Sequence, residues 1–197
     1  MPRERNFLRE RRDLFREKKP LIKENRLTKI ALNWRIKAVL PHIRGRLLDI
    51  GCGTNALVKS YVGEGIGTDV YPWSNVDLIV KNSAELPFEN ETFDTVTIIA
   101  ALNHIPNRGE VLTESHRVLR QNGRIIITMI SPKVSRMWHF LCKLWDIDQK
   151  YRRMKQGEVF GLTLEEIRCL LSKSKFDILF EKKYVLGRNC LTVAKKS

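Results

Sequence analysis

Between residues 46 and 130, short apolar runs alternate with amphipathic stretches. The runs at 46–50, 65–70, 76–80, 94–101 and 124–130 are too short for helices and are bounded by Gly, Asn and Pro, so they predict strands. Helical spacing predicts helices near 56–62 and 109–120, the second ending at Gln121-Asn122-Gly123, a sequence suited to a helix end and turn. Strand and helix in alternation predict a doubly wound α/β sheet with helices on both faces. Upstream, Leu27, Ile30, Ala31 and Trp34 recur at helical spacing, so residues 22–40 are expected to pack that face on the body until Pro41 ends the helix. Residues 1–19 have only a sparse stripe of Phe7, Leu8, Leu14 and Phe15 among charges and read as a solvated helical arm.

After Ser131 the alternation pauses over residues 132–161, which are rich in Trp, Met, Lys and Arg. Thr163-Leu-Glu-Glu then has the form of a capping box opening a helix through Ser172. The chain closes with strands at 177–186 and 190–195 around Gly187-Arg188-Asn189, and strands joined so tightly run antiparallel.

A chain of 197 residues, 43% hydrophobic, fits one globular domain with a real core. Its organisation reads as a basic arm and packing helix over residues 1–45, followed by the main domain over 46–197. The net charge of +14 is unevenly placed. Residues 1–46 hold 15 Lys/Arg against 5 Asp/Glu, residues 47–130 hold 6 against 10, and residues 131–197 hold 15 against 7. An acidic middle between basic flanks differs from a nucleic-acid groove, which spreads basic charge over its whole binding face. No apolar run approaches the roughly 18 residues of a membrane span, and no apolar stretch follows the first charges. Cys52, Cys142, Cys169 and Cys190 lie far apart without metal-ligand spacing. They read as reduced thiols of a cytoplasmic protein, with no metal expected.

The strongest chemical signal is LLDIGCGTN at 47–55. An apolar strand runs into Asp49, then Gly51 and Gly53, then a helix, so backbone can approach a ligand closely while N–H groups face it. A glycine turn here also serves packing alone. Asp49 narrows the choice, because a carboxylate two residues before the first glycine repels a pyrophosphate and suits a cationic or amino-bearing ligand. Sixteen residues beyond Gly53, Asp69 stands at the end of the second strand, where a carboxylate can accept from both ribose hydroxyls.

These residues resemble the class I S-adenosylmethionine-dependent methyltransferases, in particular the small single-domain type 11 group. The resemblance runs over roughly 45–130, in DIGCGT at 49–54, GTDV at 67–70, NSAELPFENETFDTV at 82–96, ALNHIPN at 101–107 and VLTESHRVLRQNGRIIIT at 111–128. It implies a Rossmann-like seven-stranded sheet, mostly parallel, with a closing antiparallel hairpin. It also implies that Asp49, Gly51 and Gly53 hold the methionyl end of S-adenosylmethionine. Asp69 would take the ribose, Val70 would pack on the adenine, Asn82, Ser83 and Ala84 would line the adenine edge, and Ala100 would lie beside the methionyl group. Asn55 replaces the family's third glycine, where Asn suits a helix N-cap. Asn82 stands where the family often has Asp, and it keeps a carbonyl to accept from the adenine amino group.

His104, after the fourth strand, is the candidate general base, set against a reading as a loop histidine that shapes the pocket. The segment 135–161 is expected to be a lid admitting a small or lipid-like acceptor, with a basic rim able to touch an anionic membrane surface. The alternative is an ordinary packing helix. Three rival functions stay open. One is an RNA methyltransferase, although no Asn-Pro-Pro-Tyr-like or Pro-Cys motif is present. Another is a non-catalytic RNA- or membrane-binding module using the basic ends. The third is a nicotinamide-dependent oxidoreductase, since Gly51, Gly53 and Ala56 satisfy GxGxxA.

Overall fold

The computed structural model of the chain describes residues 26–132, 134, 136, 156–185 and 189–197, with side chains from residue 29 onward. The basic arm and most of the expected lid lie outside these residues.

Seven strands form one sheet: β1 (Leu47–Ile50), β2 (Gly65–Asp69), β3 (Leu78–Ile79), β4 (Phe93–Ile99), β5 (Leu119–Ile130), β6 (Phe176–Tyr184) and β7 (Asn189–Lys196). Their order is β3-β2-β1-β4-β5-β7-β6. The pairings from β3 through β5 are parallel, and β7 runs antiparallel to both β5 and β6. The expected mostly parallel sheet with a closing antiparallel pair is therefore what forms.

Helices cover both faces. On one, α1 (Arg26–Val39) and α2 (Ala56–Ser60) bury Ile36, Val39 and Leu57 against Leu47, Ile126, Leu191 and Val193. On the other, α3 (Arg108–Val118) and α4 (Leu164–Lys173) bury Val111, Leu112, Ile167 and Leu171 against Leu48, Val96, Ile125 and Ile127. The strands read as continuous apolar runs because both their faces are covered.

Three expectations need correction. The face of α1 that packs inward is Leu32, Ile36 and Val39, while Ile30 and Trp34 are 47% and 51% exposed. Two apolar stripes compete on this helix, and the longer one, continued past Pro41 to Ile43, takes the core. α3 ends at Val118 rather than Arg120 because Leu119 already pairs with Phe93. The Gln121-Asn122-Gly123 turn is real, with Asn122 at φ 61°, but it forms an irregularity inside β5 before pairing resumes at Arg124–Thr95. β3 contracts to two residues, with Val76 and Val80 buried on either side. By contrast, the capping box at Thr163 forms as expected, with Thr163 and Glu166 bonded reciprocally.

Candidate active site

Parallel strands all point their C-terminal ends one way, and the βα loops there collect the expected site residues. Asp49 and Asp69 lie on one sheet face at the ends of the adjacent strands β1 and β2, and both are buried. Asp49 pairs in register with Thr97 of β4, whose hydroxyl donates to Asp49 Oδ1 at 2.6 Å. Burial, together with the nearby Asp69 charge, still raises the Asp49 pKa to about 7, against the relief that Thr97 gives. The site thus holds a carboxyl group that ionises near neutrality and gains from a cationic ligand.

The glycine loop lies between these carboxylates. Gly51 adopts φ 70°, its N–H donates to Thr68 O, and a Cβ there would approach the Ala101 Cβ to 2.7 Å. Close approach of two loops requires this glycine. Gly53, at φ 54°, differs: nothing lies within 4 Å of where its Cβ would be. Its N–H donates to Asp69 Oδ2 at 2.9 Å, while Tyr71 N–H donates to Oδ1 at 2.9 Å. Asp69 thus fixes the loop and leaves room above Gly53. Beside it Val70 is 41% exposed, an apolar side chain left open at the end of β2.

Asn55 corrects an expectation. It occupies the N-cap position of α2 but makes no capping bond, since its backbone is left-handed at φ 62°. Its Nδ2 instead donates to Asn75 O and to Asp77 Oδ2, and Asp77 Oδ2 also accepts from Gly67 N. This network ties the glycine loop to the turn after β2. A side chain at Gly67 would collide with Asn55, its Cβ lying 2.0 Å from Asn55 Oδ1. Cys52 lies in the same loop, and burial plus three surrounding aspartates push its thiol far above the ordinary range. It stays protonated and unreactive.

Asn82, Ser83 and Ala84 form the loop after β3. Asn82 Oδ1 accepts from Ala84 N at 3.0 Å and from Asn107 Nδ2 at 3.2 Å, so the carbonyl expected to face adenine is turned to these donors. Ala100, past the end of β4, has φ 50°, a strained conformation for a non-glycine residue, held by its N–H on Thr128 O and Oγ1. His104 ends the short 3-10 turn Leu102–His104, with Nδ1 3.5 Å from Glu158 Oε2. That contact belongs to a clasp: Asn103 exchanges bonds with Val159, and Arg108 donates to Gly157 O at 2.7 Å. Thr97, Asp77, Asn107 and Glu158 were not singled out from sequence. Only Thr97 carried a signal, a hydroxyl residue recurring at period two in a largely apolar strand.

Among the described residues, no group of three or more His, Cys, Asp or Glu side chains could hold a metal, and Cys52, Cys169 and Cys190 are free thiols. No described helix is long and apolar enough to cross a membrane.

Comparison with known proteins bears on the same region. A methyltransferase-domain family model matches residues 48–127. An uncharacterised protein of Methanocaldococcus jannaschii is 32% identical over 148 residues, 72% of this chain and 69% of that protein. A demethylmenaquinone methyltransferase of Lysinibacillus sphaericus is 35% identical over 99 residues, 41% of this chain and 42% of the enzyme. The ubiquinone/menaquinone biosynthesis C-methyltransferase of Vibrio vulnificus is 28% identical over 146 residues, 64% of this chain and 55% of the enzyme. The match thus spans about half the length of these two enzymes. Among solved structures, a SAM-dependent methyltransferase of Thermotoga maritima superposes with a TM-score of 0.64 at 18% identity, covering 87% of this chain and 97% of its own. A Pyrococcus horikoshii protein does so at 0.61 and 22%, covering 89% and 93%. On these grounds residues 48–127 form a methyltransferase domain, and the chain has the fold of the class I S-adenosylmethionine-dependent methyltransferases.

Proposed function

We propose that this protein binds S-adenosylmethionine across the ends of β1, β2 and β4 and transfers its methyl group to a small or lipid-like acceptor. The observation that carries this reading is the pair of buried carboxylates, Asp49 and Asp69, on either side of a glycine loop whose Gly53 opens onto empty space. When bound, the cofactor supplies a methyl group on a sulfonium, which an acceptor oxygen, nitrogen or carbon takes by in-line displacement with S-adenosylhomocysteine as the leaving product.

The chain's own residues bind and orient. Asp49, ionised by the presence of a cation, holds the amino end of the methionyl group, with Gly51 and Gly53 offering backbone. Asp69 takes the ribose hydroxyls, Val70 offers its open apolar surface to the adenine, and Ser83 and Ala84 border its edge beside Asn82. Ala100 lies next to the methionyl group. Transfer from a sulfonium needs alignment and exclusion of water more than a protein acid or base. His104, clasped to Glu158, accordingly shapes the mouth of the pocket. Similarity to two methyltransferases of menaquinone and ubiquinone biosynthesis supports a lipid-like acceptor.

Calorimetry tests the reading: S-adenosylhomocysteine should bind in the micromolar range and NADH should not bind. The reverse preference would refute it. Incubation with S-adenosylmethionine and fractionated metabolites or lipids, followed by mass spectrometry for a product gaining one methyl group, then identifies the acceptor.

A further inference from the structure

A second polar cluster lies on the sheet face that carries Asp49, but beyond β4 rather than beside the glycine loop. Tyr184 ends β6 and pairs in register with Asn189, which opens β7 and pairs in turn with Ile130 at the end of β5. Residues directly opposite in an antiparallel ladder project to the same face with Cβ atoms about 4.5–5.5 Å apart, so Tyr184 and Asn189 are side-by-side neighbours. α1 covers this face, with Tyr184 packed against its cluster. Its Arg35 brings the guanidinium within electrostatic reach of the Tyr184 phenol.

Among the described residues, Arg35 Nε, the Tyr184 hydroxyl oxygen and Asn189 Oδ1 are all buried and have no hydrogen-bond partner. Buried polar atoms are rarely orphaned, and three together call for a missing partner. Among the described residues no carboxylate faces the Arg35 guanidinium, and an uncompensated buried cation is costly. The cluster also borders the reacting end of the site. Thr128, two residues before Ile130, approaches Tyr184 without hydrogen-bond geometry at the phenol oxygen and accepts the Ala100 N–H.

Guanidinium and phenol are donors, and a half-turn of the Asn189 amide presents its Nδ2 as a third. The geometry points to a binding site for an anionic oxygen group, a carboxylate or a phosphate, carried by the acceptor and held by Arg35, Tyr184 and Asn189. This inference deepens the methyltransferase reading and rests on it. Position along the sheet decides the assignment: the cofactor residues Asp49, Gly53 and Asp69 lie at β1 and β2, whereas this cluster lies at β7 and β6 under α1.

The test titrates benzoate, phenyl phosphate and neutral benzamide into the protein saturated with S-adenosylhomocysteine. At least one anion should bind tenfold or more tighter than benzamide, and which anion prevails separates a carboxylate acceptor from a phosphate headgroup. Arg35→Met should abolish the preference, Arg35→Lys should retain part of it, and Tyr184→Phe should weaken it severalfold. All three should leave affinity for S-adenosylhomocysteine within threefold of wild type. No anion preference in the wild type, or a preference that survives Arg35→Met, overturns the proposal. So does a loss of S-adenosylhomocysteine affinity in Arg35→Met with anion binding intact, since the guanidinium would then serve the cofactor's own carboxylate. A parallel measurement needs no cofactor: inorganic phosphate should raise the melting temperature of the wild type and not that of Arg35→Met. If S-adenosylhomocysteine fails to bind at all, the methyltransferase reading falls, and the phosphate-dependent shift still reports on the cluster by itself.

Discussion

Replacing Asp49 by Asn should make the protein more stable and less able to bind its cofactor, and the gain should grow with pH. In the folded chain the Asp49 carboxyl keeps its proton up to about pH 7, while its ordinary value is 3.8. Between these two values the folded state binds the extra proton, so unfolding becomes easier as pH rises, and the destabilisation is complete once pH exceeds 7. The gap at 1.36 kcal/mol per pH unit corresponds to about 4 kcal/mol, and relaxation around the buried charge reduces this to an expected 2–4 kcal/mol or so. Asn has nearly the same shape and keeps an oxygen to accept from Thr97, so the packing penalty is small. Urea unfolding of both proteins from pH 4 to 8.5 isolates the effect, because the histidines, including His42 and His116 whose pKa values burial lowers, titrate alike in both and cancel in the difference. The stability advantage of Asp49→Asn should be small near pH 4 and open to its full size by pH 8. Parallel curves would refute the reasoning. Calorimetry supplies the functional half: wild-type affinity for S-adenosylhomocysteine should rise as pH passes 7, since the ligand amine favours the ionised carboxylate, and the Asn variant should bind weakly without that dependence.

Asp69→Ala should cost about 1.5–3 kcal/mol of cofactor affinity, and it also frees the Gly53 N–H that Asp69 holds; unchanged affinity would place the ribose elsewhere. His104→Gln should lower turnover less than about tenfold with cofactor affinity intact, whereas a loss of about 10²–10⁴-fold would mark a general base. Asn55→Ala should destabilise by about 1–3 kcal/mol in urea titration, since it removes both bonds to the β2–β3 turn while keeping a left-handed backbone; Asn55→Gly should cost measurably less, and equal losses would deny the backbone contribution. If the basic ends serve a membrane, anionic vesicles should bind better than neutral ones, whereas RNA binding that falls steeply with salt and vanishes on deleting residues 1–19 would favour nucleic acid.

The alternation of apolar runs and amphipathic stretches was enough to give the strands, and the residues DIGCGT and GTDV marked which strand ends matter. Such local signals survive because a buried parallel strand and a glycine turn are dictated by nearest neighbours. What escaped the sequence depended on register. Thr97 matters because β4 places it opposite Asp49, an adjacency 48 residues apart in the chain. Asn55 was read as a cap because local chemistry favours it, yet tertiary contacts to Asp77 and Asn75 claim its side chain. The orientation of α1 failed for a similar reason: Trp34 and Ile36 both satisfy helical spacing, and only the shape of the β1–β5–β7 face selects Ile36.

The position of β7 has a consequence for how the molecule is made. The strand synthesised last of the seven does not extend the sheet but is wedged between β5 and β6. Until Asn189–Lys196 leaves the ribosome, β6 has no neighbour to join, and β5 presents an unpaired edge with Ile125, Ile126 and Ile127 at its centre. An open apolar edge is a template for another chain. Completion of the sheet is therefore a late, single event that closes one edge and recruits another strand together. A chain interrupted within β7 would keep the other strands but be prone to aggregate, so disruption of this strand should be read first as a failure of assembly, and only then as a defect in catalysis.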